Sequence, residues 1–330
     1  MNIDTTNATN TTETAIGFIP CYRLPFLSLY QVDVLEGLKN IPDKSQDLII
    51  ADPPYYKAIN ESWDKQWKTE EEYLDWCKQW FNECVRVLKD TGSFYCYGNF
   101  DILSKQKVFI FDKQLNFRQN ITLNKGLKSI AGRTSDKLRM FPTASEQLVF
   151  YIKQEMNIAS PFKFILDRQM EAKQLREIDF RKLRPSKNGN LTGWCSNILK
   201  DKNLPTKDDW DLICELMGID SSNYLELYET HQNNRFTFNL PIATTDVWDF
   251  TPDKVRYGHP TQKPQDICQR IIKASSNEND NVLIPFAGSG SEIVGCKELK
   301  RNCIAFELDD KYFEVAKQRL INHQRQLTLF

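Results

Sequence analysis

Two adjacent prolines halt a buried strand at a fixed place in this chain. Asp47-Leu48-Ile49-Ile50 is a short apolar run with the length and Ile content of an interior strand. Pro53 and Pro54 then remove two backbone donors, so regular pairing must stop where the Asp52 carboxylate emerges, with Tyr55 just beyond. A carboxylate, a stiff turn with open carbonyls and an aromatic ring therefore gather at a strand's carboxyl end. In open α/β sheets that is where ligands bind.

The pattern around this turn predicts alternating strands and helices. Strands are expected over Leu27 to Val32, Asp47 to Ile50, Ser93 to Tyr97, Gln119 to Leu123, Gln147 to Ile152, Val282 to Pro285 and Asn302 to Phe306. Helical spacing of apolar residues covers Leu35 to Ile41, Glu70 to Leu88, Asp101 to Phe111, Gln265 to Ser275, Ser291 to Leu299 and Lys311 to Arg319. Lys89-Asp90-Thr91-Gly92 reads as the end of the second of these helices, and Tyr56 to Lys68 as a loop over the site. From about Asn157 to Asn239 strand signals vanish and short helical pieces dominate, over Phe162 to Leu183 and Lys207 to Met217. The expectation is one doubly wound, mostly parallel, seven-stranded sheet interrupted by a helical insert.

A second turn stands near the other end of the chain. Val282-Leu283-Ile284-Pro285-Phe286-Ala287-Gly288-Ser289-Gly290-Ser291 reads as strand, tight glycine turn and helix start. Alternate glycines let backbone approach a ligand, and the following helix offers free N–H groups. The next strand ends at Glu307, 17 positions after Gly290. An acid at about that spacing is placed to accept hydrogen bonds from ribose hydroxyls. A full dinucleotide fingerprint is missing, because its third glycine would fall on Ile293. A nucleoside without a pyrophosphate fits better than a dinucleotide.

Composition narrows the class. The 330 residues are 41% hydrophobic, enough for a sizeable core, and no stretch of about 18 apolar residues suggests a membrane span. Residues 1–16 are Thr- and Asn-rich and read as a disordered lead-in. The 9 cysteines are scattered without a C-x-x-C pair, which argues against disulfides or structural zinc and for a reducing cytoplasm. A net charge of -1 places any nucleic-acid footprint locally. Lys163 to Lys187 holds eight basic against four acidic residues, including Arg181, Lys182 and Arg184. The stretch Asn124 to Met140 carries Lys125, Lys128, Arg133, Lys137 and Arg139 against Asp136 alone.

Taken together, the chain resembles the S-adenosylmethionine-dependent amino methyltransferases of DNA, in the circularly permuted β class. The matching pieces are Asp33 with Leu35 to Leu38, Asp52-Pro53-Pro54-Tyr55, and Cys84 to Leu88 running into Gly92 to Tyr95. Then follow Ser145 to Phe150, His259-Pro260-Thr261-Gln262-Lys263-Pro264, Phe286 to Gly290 and Glu307, in the family's order. The resemblance implies a Rossmann-like methyltransferase sheet with a catalytic half over 17–156, target recognition in the insert over 157–239, and a cofactor half over 240–330.

The resemblance also implies site roles. Asp52, Pro53, Pro54 and Tyr55 would hold and polarise an exocyclic amino group of a flipped base. Asp33 would meet the cofactor's adenine and Glu307 its ribose; Phe286, Ala287, Gly288, Ser289 and Gly290 would wrap it. Thr261 and Lys263 would approach its carboxylate. His259 reads as a structural residue of its turn. Ile284 stands where the family usually has an acid near the cofactor's amino group.

The expected substrate is double-stranded DNA, methylated at adenine N6, with cytosine N4 as the alternative. RNA, a protein amide or a silent binding module remain more distant readings. Cytosine C5 chemistry is disfavoured, since the sole Pro-Cys, Pro20-Cys21, lies far ahead of the glycine turn. No metal is expected. A homodimer is compatible with the family, and any restriction endonuclease would be a separate chain.

Overall fold

The computed structural model describes residues 21–56, 66–126, 141–153, 160–185, 187–188, 191–234, 237–239, 244–250, 253, 255, 257–258 and 262–327. The expected lead-in at 1–16, most of the loop after Tyr56, and Lys128, Arg133, Lys137, Arg139, His259 and Thr261 lie outside them. Two compact units emerge, Met1–Gln154 with Phe236–Phe330, and Glu155–Arg235.

The first unit is built on one sheet. Its strands are β1 (Tyr22–Leu24), β2 (Leu27–Gln31), β3 (Gln46–Ala51), β4 (Leu88–Gly98), β5 (Asn116–Asn124), β6 (Ser145–Ile152), β7 (Val247–Asp249), β8 (Asn281–Ile284) and β9 (Asn302–Glu307). They lie in the order β1-β2-β9-β8-β3-β4-β6-β5-β7. The seven expected strands form the interior of this order. The strand count is corrected to nine among the described residues, because β1 and β7, three residues each, flank the sheet. Such short edge strands carry too few residues for a period of two to show in sequence. Five of the eight pairings are parallel and those of β1, β4 and β5 with β2, β6 and β6 are antiparallel. The last two strands of the chain slot between β2 and β3, which is the permuted order.

Alternation along each interior strand divides the core into two layers. Leu48 and Ile50 of β3, Tyr95 and Tyr97 of β4, and Val282 and Ile284 of β8 face one cluster. There they meet Ile267, Ile271, Ile293 and Phe313 from α8 (Gln265–Ser275), α9 (Ser291–Glu298) and α10 (Asp310–Leu327). Ile49, Phe94, Cys96 and Leu283 face the other, against Leu38, Trp80, Phe81 and Leu103 from α1 (Val34–Lys39), α2 (Glu70–Val87) and α3 (Phe100–Phe109). Both faces of the sheet are thus covered, as parallel strands require.

The second helix ends where expected, but the strand expected from Ser93 starts earlier: β4 begins at Leu88, directly after α2, and its register against β3 shifts between Gln46 and Leu48. Gly92 permits this, since a Cβ there would lie 2.5 Å from Leu88 Cδ1.

The second unit is helical. It comprises α4 (Pro161–Ala172), a 3-10 turn (Glu177–Lys182), α5 (Gly193–Leu199), α6 (Lys207–Met217) and α7 (Tyr224–Asn234). The run expected over Phe162 to Leu183 breaks because Gln174 adopts φ 53° after the end of α4. α6 begins with a Thr206–Asp209 capping box and ends at Gly218 in the left-handed region. The unit has its own core, centred on Phe162, Phe180, Trp210, Ile213 and Met217, with Trp210 edge-on to Phe162 at 5.0 Å.

Candidate active site

The carboxyl ends of β2, β9, β8 and β3 open side by side onto one cavity of about 240 Å³ in the first unit. Asp33 and Asp52-Pro53-Pro54-Tyr55 line it, as do Lys263, Phe286-Ala287-Gly288-Ser289 and Glu307. Two turns separated by most of the chain therefore share one wall. Gly290 is not in the wall: at φ 76° it starts α9, and a Cβ there would meet Ala316 Cβ at 3.1 Å.

At one end the Pro-Pro turn holds Asp52 as expected, but side chains from elsewhere fix it. Tyr55 Oη donates to Asp52 Oδ1 at 2.8 Å. Lys263 Nζ lies 2.9 Å from Asp52 Oδ2, 3.1 Å from Tyr55 Oη and 3.6 Å from Glu146 Oε2. Burial opposes the charge of Lys263, yet the Asp52 and Glu146 carboxylates hold its pKa above the ordinary lysine value. Burial likewise raises Glu146, but Lys263 and then Lys125 hold it below the usual carboxylate range. Lys125 pairs with Glu146, which gives it a structural partner beside any contact with DNA. Burial, then Asp52 and Glu146, push the Tyr55 phenol well up, so it stays a neutral donor. Tyr73 Oη donates to Pro54 O at 2.9 Å and receives Gln106 Nε2 at 3.2 Å. The turn is thereby pinned from α2 and α3.

At the other end the supports are backbone. Gly288, at φ 51°, donates its N–H to Glu307 Oε2 at 2.7 Å, and Asp309 N donates to Glu307 Oε1 at 2.9 Å. Burial nonetheless pushes Glu307 up to about 7. Asp33 caps α1, accepting from Leu35 N at 2.9 Å. Phe286 is held between Trp76 and Trp80, with ring centres 5.8 and 5.3 Å away. Ser291 Oγ donates to Lys263 O at 2.8 Å and accepts from Arg319 Nη1 at 2.7 Å, which ties the start of α9 to the Lys263 segment.

Sequence reasoning missed Glu146, Glu292, Tyr73 and Trp76. Glu146 and Tyr73 sit inside matched or amphipathic segments, where a core role is the default reading. Their contacts depend on tertiary pairing alone. In the helical unit Arg181 and Lys182 are exposed, whereas Arg184 pairs with Asp209 at 2.7 Å and stacks on Trp194 at 4.3 Å. Among the described residues no cluster of His, Cys, Asp and Glu could hold a metal ion, and no helix is long and apolar enough to cross a membrane.

Comparison with known proteins places this geometry. A family model described as DNA methylase matches residues 46–318. The type II methyltransferase M.HpaI of Haemophilus parainfluenzae is 27% identical over 292 residues, 87% of this chain and 72% of that protein. The DNA adenine methyltransferase YhdJ of Escherichia coli K12 is 28% identical over 298 residues, 87% of this chain and 80% of that protein. The M1.HpyAVI–SAM complex superposes with a TM-score of 0.51 at 20% identity, covering 89% of this chain and 99% of the other. The cytosine-N4-specific PvuII DNA methyltransferase gives 0.54 at 14%, covering 89% and 86%. Both share its fold.

Proposed function

The chain belongs to the N6-adenine and N4-cytosine DNA methylase family, whose members take their methyl group from S-adenosylmethionine, and from that premise we propose that it methylates adenine N6 in double-stranded DNA. The observation that carries the base assignment is Asp52. A carboxylate at the head of the Pro-Pro-Tyr turn is the form that the family resemblance associates with adenine, and the similarity to the adenine enzyme YhdJ supports the same choice.

The residues present fit the cofactor. Glu307 is a partly buried carboxylate, matched to a ribose diol, at the end of a cavity walled by Phe286 and by a glycine turn in the left-handed region. S-adenosylmethionine, when bound, supplies an activated methyl group on a sulfonium. Glu307 and Asp33 would hold its nucleoside, Phe286 to Ser289 its middle, and Lys263 and Thr261 its carboxylate end.

The chain's own part in the chemistry is positioning and electrostatics. An exocyclic amino nitrogen is a weak nucleophile because its lone pair is delocalised into the ring. Asp52 accepts a hydrogen bond from that amino group, together with the Pro53 carbonyl, and favours a tetrahedral nitrogen. The same acceptors stabilise positive charge as it develops on nitrogen. Tyr55 and Lys263 fix both carboxylate oxygens of Asp52, so little reorganisation is needed. Tyr55 also offers a ring to a base taken out of the helix. The Glu155–Arg235 unit, with Arg181 and Lys182 exposed, supplies phosphate contacts and target recognition. Lys125, Lys128, Arg133, Lys137 and Arg139 would add phosphate contacts from the first unit. The similarity to a type II methyltransferase supports a restriction endonuclease on a separate chain as a partner.

Nucleoside mass spectrometry after incubation of unmethylated duplex DNA with the protein and S-adenosylmethionine tests this reading. N6-methyladenine that disappears with Asp52→Ala is the expected result. N4-methylcytosine would overturn the base assignment, and no methylated nucleoside would overturn the substrate.

A further inference from the structure

Five carboxylates line the cavity: Asp33, Asp52, Glu292, Glu307 and Asp309. Four of them are engaged within the protein. Asp52 is held by Tyr55 and Lys263, and Glu307 by the amides of Gly288 and Asp309. Asp33 accepts from Leu35 N, and Asp309 from Tyr312 N. Glu292 differs. It is 4% exposed, it stands in the first turn of α9, and its Oε1 has no hydrogen-bond partner among the described residues. A buried acceptor left in this state is costly unless a ligand completes it.

Glu292 lines the cavity beside Ser291, whose Oγ donates to Lys263 O at 2.8 Å, so it stands next to the Lys263 segment that holds Asp52. Lys263 is the sole basic residue in the cavity wall among the described residues, and it already serves Asp52 and Glu146. Asp52, Glu146 and Glu292 carry three negative charges when ionised, against two positive charges on Lys263 and Lys125. The cluster therefore lacks one cation. Ile284, where an acid was expected, points into the core layer shared with α9. The carboxylate that the strand lacks enters from the helix on that same side.

We propose that Glu292 is the anionic seat for the α-ammonium group of the cofactor's amino-acid end, replacing from α9 the acid absent at Ile284. The proposal rests on the cofactor reading given above. It has a consequence for protons. Burial, then Asp52, push free Glu292 up to about 7, while Lys263 and Cys268 act in the opposite direction. The other titratable groups around it are Tyr97 of β4 and Cys296 of α9, both neutral with raised pKa values. Arg319 of α10 reaches the adjacent Ser291. An arriving ammonium favours the ionised acid, so binding below about pH 7 releases a proton.

The test is calorimetric titration of the wild type and Glu292→Gln with three ligands. S-adenosylmethionine and S-adenosylhomocysteine both carry the ammonium, whereas methylthioadenosine lacks it and serves as the folding control. Glu292→Gln is expected to weaken the first two by roughly thirtyfold and leave methylthioadenosine unchanged. At pH 6.5, titrations in buffers of different ionisation enthalpy should show more proton release on S-adenosylhomocysteine binding by wild type than by Glu292→Gln, the remaining release through Glu307 being shared with methylthioadenosine. Equal losses for all three ligands, or no loss for any, would overturn the assignment. A loss confined to S-adenosylmethionine would also overturn it, by assigning Glu292 to the sulfonium. Failure of the wild type to bind any of the three would instead remove the cofactor reading on which the proposal stands.

Discussion

Asp52 and Glu307 are two carboxylates just past or at the carboxyl ends of parallel strands in one cavity, and they are held in opposite ways. Asp52 is gripped by side chains, a phenol three residues on and an ammonium that lies 208 positions beyond that phenol. Glu307 is gripped by two backbone N–H groups from the turn beside it and from its own strand end. Side-chain partners carry charge and set the field around the acid, which suits a group that must meet developing positive charge. Backbone donors fix geometry and add no net charge, which suits a group that recognises neutral hydroxyls. The difference fits the roles proposed above, chemistry at one end and recognition at the other.

Removing the ammonium from the first end should have the largest effect on stability. Lys263→Met leaves Asp52 and Glu146 facing each other without their shared cation. Chemical denaturation should show a loss of about 3–5 kcal/mol, and methyl transfer should fall with it. Retention of full stability would mean that the two carboxylates do not depend on Lys263.

At the second end, Glu307→Gln keeps shape but removes charge. S-adenosylhomocysteine affinity should weaken about tenfold, with transfer at saturating cofactor nearly unchanged. A drop in the saturated rate instead would erase the division between the ends.

The pH dependence sharpens the same contrast. Burial holds Glu307 and Glu292 near 7 in the folded protein, above the 4.5 of an ordinary glutamate. The folded state therefore binds more protons than the unfolded chain between those values. Their contribution to stability is fully present below about 4.5 and is lost as pH rises through 7, a trend that thermal melts of the free protein at pH 5.5 and 8 would read. With Glu292 and Glu307 in their proposed roles, cofactor affinity should run the other way and weaken as pH falls below about 7. The smallest effect is expected for Tyr73→Phe, which loosens the Pro54 carbonyl and should slow transfer by roughly fivefold in a steady-state assay.

This contrast also explains what the sequence could disclose. The strand before Asp52, the glycine turn and Glu307 depend on neighbours in the chain, so proline chemistry, spacing and apolar periodicity exposed them. The unbroken apolar run Leu48, Ile49 and Ile50 likewise announced a buried strand. Lys263 could be matched to a motif, but its grip on Asp52 arises only when the Lys263 segment, tied to α9, meets the end of β3. Glu292 and Glu146 looked like ordinary polar positions in a helix and a strand. α5 and α7, with β1 and β7, stayed hidden because three to eleven residues of mixed character carry little period. Tertiary pairing decided them.

The division between the two ends is tested most directly by Asp52→Asn, assayed for single-turnover methyl transfer to duplex DNA and for S-adenosylhomocysteine affinity in the same preparation. Transfer should fall by about a thousandfold or more while affinity stays within about twofold. Transfer that persists, or affinity that falls in step with it, would contradict the placement of the chemistry at Asp52.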